Sequence, residues 1–556
     1  MIMKKILMLT KALLFNQEMG KPAQKRKSRM YQCFGALAIA CIIIPCCLIV
    51  GILTCLMTQA LIEAGGNEQG LLFVMHFMAV FALIFGFQVV LSTFYFSSDL
   101  EHLLPLPLKI HEIITAKLLQ TYLAESMMEF AILLSAFIGY FVAAGISVSG
   151  IVTAVIGTFT LPVLPLLYCG IISTLLMAAT RRIRSPKDVS FLVWGLSGVL
   201  FLFVAWAIGG IDGLMVENFV SSMVGHQNRF MNVMNVLFFH DRLLAQAIAQ
   251  HNPVTLIGYL LVNIGIALGF LALASRLYLP GVHRMASIGN KRRKMSSETF
   301  VKACRMRRVE ISFFYKEMKT LTRTGAYVTN CMMMTYVWPV VTAGILLWKG
   351  GTETLLKYRQ FYEQQRGGVD IIFLLCILLL SVLIPGANAV ASTSFTREGA
   401  HIDFMKYIPV SYEKQIMIKG AVSMVLGYSS SFLCVCMLCI YFRTGIVKTV
   451  YMLVVSFLCC FWVTGLGIWL DSEYPKLVWE NESAAMRGNI NVFFHMAFSI
   501  LSGMVFCILA YLMYVPTKEG SVVMHIFFLL LMLLLCSIFG NFTRKKAAAN
   551  IRNLLS

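Results

Sequence analysis

The sequence predicts an all-α polytopic membrane protein, with about twelve transmembrane helices forming two parallel six-helix repeats. Three observations carry that prediction: an extreme apolar composition, a series of hydrophobic runs of membrane-spanning length, and a duplicated set of landmarks. Of 556 residues, 59% are hydrophobic and only 13% charged, and the mean hydropathy is +0.79. A soluble domain carries about 25% charged residues. A water-soluble fold could not hide this much apolar surface, whereas lipid tails solvate it.

Crossing the hydrocarbon takes about 20 apolar residues. Such runs lie at 33–62, 71–96, 120–145, 150–179, 189–211 and 254–279, then at 326–348, 369–395, 420–442, 446–470, 491–515 and 522–542. The domains that follow are an N-terminal cytoplasmic amphipathic segment (1–32), a first six-helix half (33–279), and a basic cytoplasmic linker with a second interfacial helix (280–325). A second six-helix half (326–542) and a cytoplasmic tail (543–556) complete the chain. Lys4, Lys5, Leu7, Leu9, Leu13, Leu14 and Phe15 read as a basic amphipathic helix on the inner membrane surface. The first apolar run begins at Cys33 and is too long for a signal-peptide core, so no cleavable signal is expected.

Charge predicts the orientation. With both termini cytoplasmic, the inner segments hold 37 of the 46 Lys and Arg residues. Basic residues resist translocation, so this bias favours a multi-pass protein of the bacterial plasma membrane with both ends inside. The net charge of +20 therefore points to inner-leaflet lipid, not nucleic acid, and the cluster Lys291, Arg292, Arg293 and Lys294 reads as a juxtamembrane basic patch. The sixteen cysteines fall almost wholly inside the runs, so no disulfides are expected, and Cys436 and Cys439 read as packing residues.

The duplication is visible by eye. Leu83-Ile84-Phe85-Gly86 matches Leu383-Ile384-Pro385-Gly386, and Ser92-Thr93 matches Ser392-Thr393. Pro107 precedes Lys117 by the same interval that separates Pro409 from Lys419. Upstream, Phe15-Asn16-Gln17-Glu18-Met19 matches Phe314-Tyr315-Lys316-Glu317-Met318, and downstream Ser185-Pro186-Lys187 matches Tyr474-Pro475-Lys476.

The loop after the second span of each half is the most informative. The first contains Asp99, Glu101, Leu103, Leu104, Leu106, Pro107 and Glu112, and the second Glu398, Asp403, Phe404, Met405, Ile408 and Pro409. Each has an acidic start, a short apolar stretch, a proline break and a new helix entering the membrane. A further loop reads Asp471-Ser472-Glu473-Tyr474-Pro475-Lys476-Leu477-Val478-Trp479-Glu480-Asn481-Glu482.

These segments resemble the permease subunits of ATP-binding-cassette transporters, in the fused twelve-helix form of the type-2 exporter superfamily. The first copy departs from the family pattern, with Pro107-Leu108-Lys109 in place of Pro-x-Ser. The resemblance implies that both loops form coupling helices. Glu101, Leu103, Leu104, Leu106, Pro107 and Glu112 would contact one ATPase subunit, and Asp403, Phe404, Met405, Ile408 and Pro409 a second copy. It further implies that Asp471, Pro475, Lys476, Trp479, Asn481 and Glu482 form a family motif loop. It implies alternating access driven by ATP and Mg held in the partner subunits, and export of an amphipathic, peptide or lipid-like substrate. No phosphate-binding G-x-x-x-x-G-K-[ST] loop occurs in the chain, so no ATP hydrolysis is expected here.

His111-Glu112-Ile113-Ile114-Thr115 begins like a zinc helix but lacks the closing histidine, so no metal or catalytic residue is assigned. An intramembrane enzyme and a non-transporting sensory membrane protein are the alternative readings. Glu125 and Glu129 lie one helical turn apart within the third run and mark a candidate pathway, against the plainer reading that both sit at the inner interface. Residues 212–253 predict one or two short amphipathic helices at the outer face, serving as a gate or as surface packing.

Overall fold

The computed structural model describes residues 2–19, 29–65, 68–179 (apart from 96 and 98), 228–288, 308–347, 368–479, 482–486, 489–514 and 522–555. It also describes isolated residues between 195 and 203 and between 356 and 360. The described residues are helical or irregular, with no strand among them. Eight of their helices are long and apolar enough to cross a membrane, or nine if one bent pair counts as a single span. Two shorter apolar helices, Asn330–Leu346 and Ile371–Ala387, fall on two further predicted runs. The run 189–211, the segment 212–227 and the cluster 291–294 lie almost wholly outside the described residues. The protein is an all-α, multi-pass membrane protein.

The chain forms two compact units, Met1–Gly20 with Ala40–Arg292, and Lys21–Ile39 with Arg293–Ser556. In the first, α1 (Ile2–Met19) packs along α5 (Ile110–Ala144). Leu13 meets Leu103, Ile113 and Ala116 there, so α1 is fastened to protein along one side while Leu7 and Met8 stay exposed. The spans α2 (Arg29–Glu63), α3 (Gln69–Tyr95) and α5 are followed by α6 (Val148–Thr160) and α7 (Val163–Ala179). A short α4 (Leu100–Leu103) opens the first loop. The described part of the long segment 212–253 contains two short helices, α8 (Arg229–Leu237) and α9 (Phe239–Ala249), before α10 (Pro253–Ile288).

Small residues bring α2 and α5 to backbone contact. Ser135 Oγ donates to the Cys47 carbonyl, and a Cβ placed on Gly139 would run into the Gly51 carbonyl. In lipid, where tails are as apolar as leucine, such close approach supplies the packing energy. Gly139→Leu is expected to cost about 1–3 kcal/mol by overpacking. The check is the thermal unfolding midpoint in detergent. Gly265→Ala on α10, with nothing within 4 Å of the added carbon, should leave the midpoint unchanged.

The second unit begins with α11 (Val309–Arg323), an amphipathic helix that buries Phe313, Glu317 and Leu321. A π-helical turn, Val328–Met333, leads into α12 (Met334–Leu347). The spans α13 (Gly368–Ala387), α14 (Tyr412–Tyr441) and α15 (Ile446–Glu473), a short α16 (Glu482–Met486), α17 (Ile490–Tyr514) and α18 (Val522–Leu555) complete it. Its core joins α13, α15, α17 and α18 through Leu374, Ile377, Leu378, Val455, Cys459, Phe506 and Phe528. Cys439 and Cys459 are buried among these apolar side chains, as packing residues.

Two features differ from the runs read in the sequence. The helix placed over 369–395 stops at Ala387, just after Pro385, and residues 388–395 continue as buried irregular backbone. The helix placed over 522–542 continues instead to Leu555 without a break.

Candidate functional site

Irregular backbone buried beside membrane spans needs a partner for every amide. In residues 388–411 several backbone groups are bonded by side chains of the segment itself and of α14 and α15. Asn388 Oδ1 accepts from the Val390 amide at 3.1 Å. The buried Arg397 guanidinium donates to the Val390 carbonyl at 2.7 Å and to Thr393 Oγ1 at 2.9 Å. Asp471, fully buried near the end of α15, accepts from the Phe395 amide at 2.6 Å, the Thr396 amide at 3.0 Å and Thr396 Oγ1 at 2.6 Å. Asn491 Nδ2 donates to the same carboxylate at 3.2 Å.

The motif loop closes over this cap. Trp479 Nε1 donates to the Thr396 carbonyl at 2.9 Å, and the Lys476 amide donates to Thr396 Oγ1 at 3.0 Å. Lys476 Nζ reaches the Ala484 carbonyl at 2.7 Å. Pro475 is buried. Gly399 sits at φ +54°, and a Cβ there would lie 2.7 Å from the Trp479 ring, so glycine is required on both counts. Glu482 is exposed on α16, and Asn481 lies outside the described residues.

A second layer carries charge. Lys419, fully buried on α14, donates to the Ser394 carbonyl at 3.0 Å, to Glu317 of α11 at 2.9 Å and to Glu398 at 2.6 Å. Its ammonium also lies 5.6 Å from the Phe313 ring centroid and 5.8 Å from that of Phe395. Lys316 reaches Glu398 at 2.7 Å and Glu317 at 3.2 Å from a half-exposed position. Burial alone would raise the Glu398 carboxyl, but Lys419 and Lys316 hold it well below the usual carboxylate range.

What this frame presents is a short 3-10 segment, Thr396–Lys406, kinked at the non-helical Gly399, and the turn after it. Ile402 and Met405 point inward, packing with Phe395, Ile416, Ile468, Ala547, Ile551 and Leu555. Gln415 Nε2 ties the far side, donating to the Met405 and Val410 carbonyls at 3.1 and 2.8 Å. Phe404 and Tyr407 point outward, 63% and 80% exposed, with Asp403 and Pro409 also exposed and Ile408 half-buried. Met405, 2% exposed, holds the loop to its own unit and offers no side chain to a partner.

The first unit has a related arrangement. Buried Lys117 on α5 donates to the Thr93 carbonyl at 2.8 Å, Ser97 Oγ at 2.5 Å and Asp99 at 3.1 Å. Glu112 is buried and caps its own helix, accepting from the Lys109 amide at 2.9 Å. Leu103, 6% exposed, is committed to the cluster with Leu13. Leu106 is 49% exposed, Pro107 is exposed and Leu104 half-buried. Glu101 lies on α4, and its side chain is outside the described residues.

Glu125 and Glu129 are both half-buried, on either side of a 53° bend in α5 that falls between Met127 and Glu129. Tyr407 and the anchors Ala547, Ile551 and Leu555 do not stand out in the sequence. Tyr407 carries no pattern of its own. The stretch after Arg544 is charged enough to read as a tail.

No protein-family model, no curated protein and no solved structure matches the chain.

Proposed function

We propose that this chain is the membrane-spanning permease subunit of an ATP-driven transporter of the ATP-binding-cassette type. In this reading it has about twelve spans in two parallel repeats. Residues 97–112 and 396–413 each dock on a separate ATPase subunit, which holds the ATP and Mg. The single observation that carries the reading is the exposed pair Phe404 and Tyr407 on a loop whose polar groups are engaged in fixing it to its own unit. A rigid strut with aromatic tips is what force transmission into a partner's groove requires. Lys117 and Lys419 support the repeat, since each lies eight residues into its helix and reaches back to a carbonyl shortly before the loop, of Thr93 or Ser394, and to an acidic loop residue.

Both termini are cytoplasmic in this proposal, in a bacterial plasma membrane, and the cargo is an exported amphipathic, peptide or lipid-like molecule. Glu125 and Glu129, at the bend of α5, are the candidates for lining the pathway.

The test is purification of the tagged chain from its host with quantification of any co-purifying ATPase. Truncating a buried interface anchor typically costs about 1–3 kcal/mol. Phe404→Ala with Tyr407→Ala, and separately Leu106→Ala, should lower ATPase recovery about tenfold or uncouple hydrolysis from transport, with insertion intact. Full recovery and coupling in all three substitutions together would end the coupling reading.

A further inference from the structure

The first unit contains a cavity of about 310 Å³ between α3, α7 and α8. Among the described residues its wall is apolar, with Val80, Leu83 and Ile84 on α3, Ile172 on α7, Met234 on α8 and the isolated Phe203 in its lining. The one hydroxyl in the lining, that of Tyr168, donates to the Leu237 carbonyl at 3.0 Å. An engineered apolar cavity of about 150 Å³ stays dry and takes benzene. A space about twice that size suits a run of methylenes better than a single ring.

Helix α8 is fastened over this space by buried polar bonds. His76, one turn before Val80 on the same face of α3, contacts Asp241 of α9 at 2.9 Å through Nδ1 and Asn235 of α8 at 3.0 Å through Nε2. His240 lies 3.1 Å from the other Asp241 oxygen and stacks on Tyr259. His76, Asp241 and His240 are completely buried. The polar latch and the apolar cavity thus occupy successive turns of one helix face.

We propose that the cavity binds one acyl chain of an anionic phospholipid drawn from the surrounding bilayer. A peptide occupant would leave its amides unpaired against this wall, whereas an acyl chain has no polar group to satisfy. The cavity is partly open, and α3 and α7, which bound it, are apolar enough to stand in hydrocarbon, where acyl chains are the surrounding solvent. Arg242, exposed on α9, which follows α8 directly, favours an anionic headgroup. The proposal is independent of the transporter reading, because lipid occupancy is measured without any ATPase or cargo.

The test uses the full chain in phosphatidylcholine nanodiscs with phosphatidylglycerol carrying a photoactivatable group in its acyl chain. Labelled residues are mapped by peptide mass spectrometry. Labelling at Val80, Leu83 and Met234 should saturate and be competed by unlabelled phosphatidylglycerol. Labelling at Leu261 and Leu268, exposed on α10, should rise linearly and report bulk lipid. Ile172→Trp, which fills the space, should reduce cavity labelling about tenfold while leaving Leu261 unchanged, a factor equivalent to about 1.4 kcal/mol of binding. If that variant does not fold, saturation and competition in the unaltered chain decide the matter. Non-saturating labelling at the level of Leu261 would overturn the site. Competition by free fatty acid with none from phosphatidylglycerol would overturn the phospholipid assignment.

Discussion

Lys419→Met is expected to destabilise the second unit by about 3–5 kcal/mol, the usual cost of removing one partner from a buried ion pair. The ammonium is the shared centre of the loop's charge layer, within 2.9 Å of Glu317 and 2.6 Å of Glu398. Without it, two carboxylates face each other with only half-exposed Lys316 close to both, and Arg397 at 4.0 Å from Glu317. The Ser394 carbonyl loses its donor as well. The measurement is thermal unfolding in detergent, followed by tryptophan fluorescence. The double substitution Lys419→Met with Glu398→Gln removes one stranded charge and should recover part of the loss, giving a coupling energy of about 1–3 kcal/mol in the cycle. A Lys419→Met protein melting with the unaltered chain would show that the cluster holds nothing together.

Much of the architecture is legible in the sequence because the bilayer acts on long averages. A run such as Ile446–Glu473 announces itself through nearly thirty residues of hydropathy, and its boundaries fall within a few residues of those read from composition. Where one helix yields to another structure, the average fails. Residues 387–396 are nearly all apolar or hydroxyl-bearing and carry no charge, so they pass as span, yet Pro385 and the cap at Asn388 end the helix. The opposite error occurs at 543–556, where Arg544, Lys545 and Lys546 interrupt the apolar pattern but not the helix. The loop residues are legible because proline and acidic residues recur in both copies. Their division into inward Met405 and outward Phe404 is not, since neighbours on a 3-10 helix of this length carry no reliable apolar period. His76 with Asp241, and Asp471 with Thr396, are far apart in the chain, and only folding brings them within hydrogen-bond distance.

Asp471→Ala is expected to release the 395–410 loop while leaving the span core folded. The carboxylate receives four donors, and two of them are backbone amides that no neighbouring carbonyl is placed to satisfy. Each buried donor left without a partner costs about 1–3 kcal/mol, and hydrogen bonds to a charged acceptor lie at the upper end. The losses are not additive, because the loop can yield, so about 3–4 kcal/mol of local destabilisation is the expected scale. Thr396 would lose the group that orients its hydroxyl, and with it the contacts from Lys476 and Trp479 that close the motif loop. Asp471→Asn should be nearly as damaging. One of its two terminal atoms becomes a donor, and both oxygens of the aspartate are already accepting. Hydrogen exchange read by mass spectrometry separates this outcome from global unfolding. Amides of residues 395–410 should exchange several hundredfold faster, the factor that about 3–4 kcal/mol gives, while amides around Val455 and Phe506 in the span core keep their protection. Phe404 and Tyr407 would then ride on a mobile segment, so a partner subunit would lose its strut even with both aromatic side chains present. Unchanged exchange across 395–410 would mean that Arg397, Gln415 and the apolar contacts of Ile402 and Met405 hold the loop without Asp471.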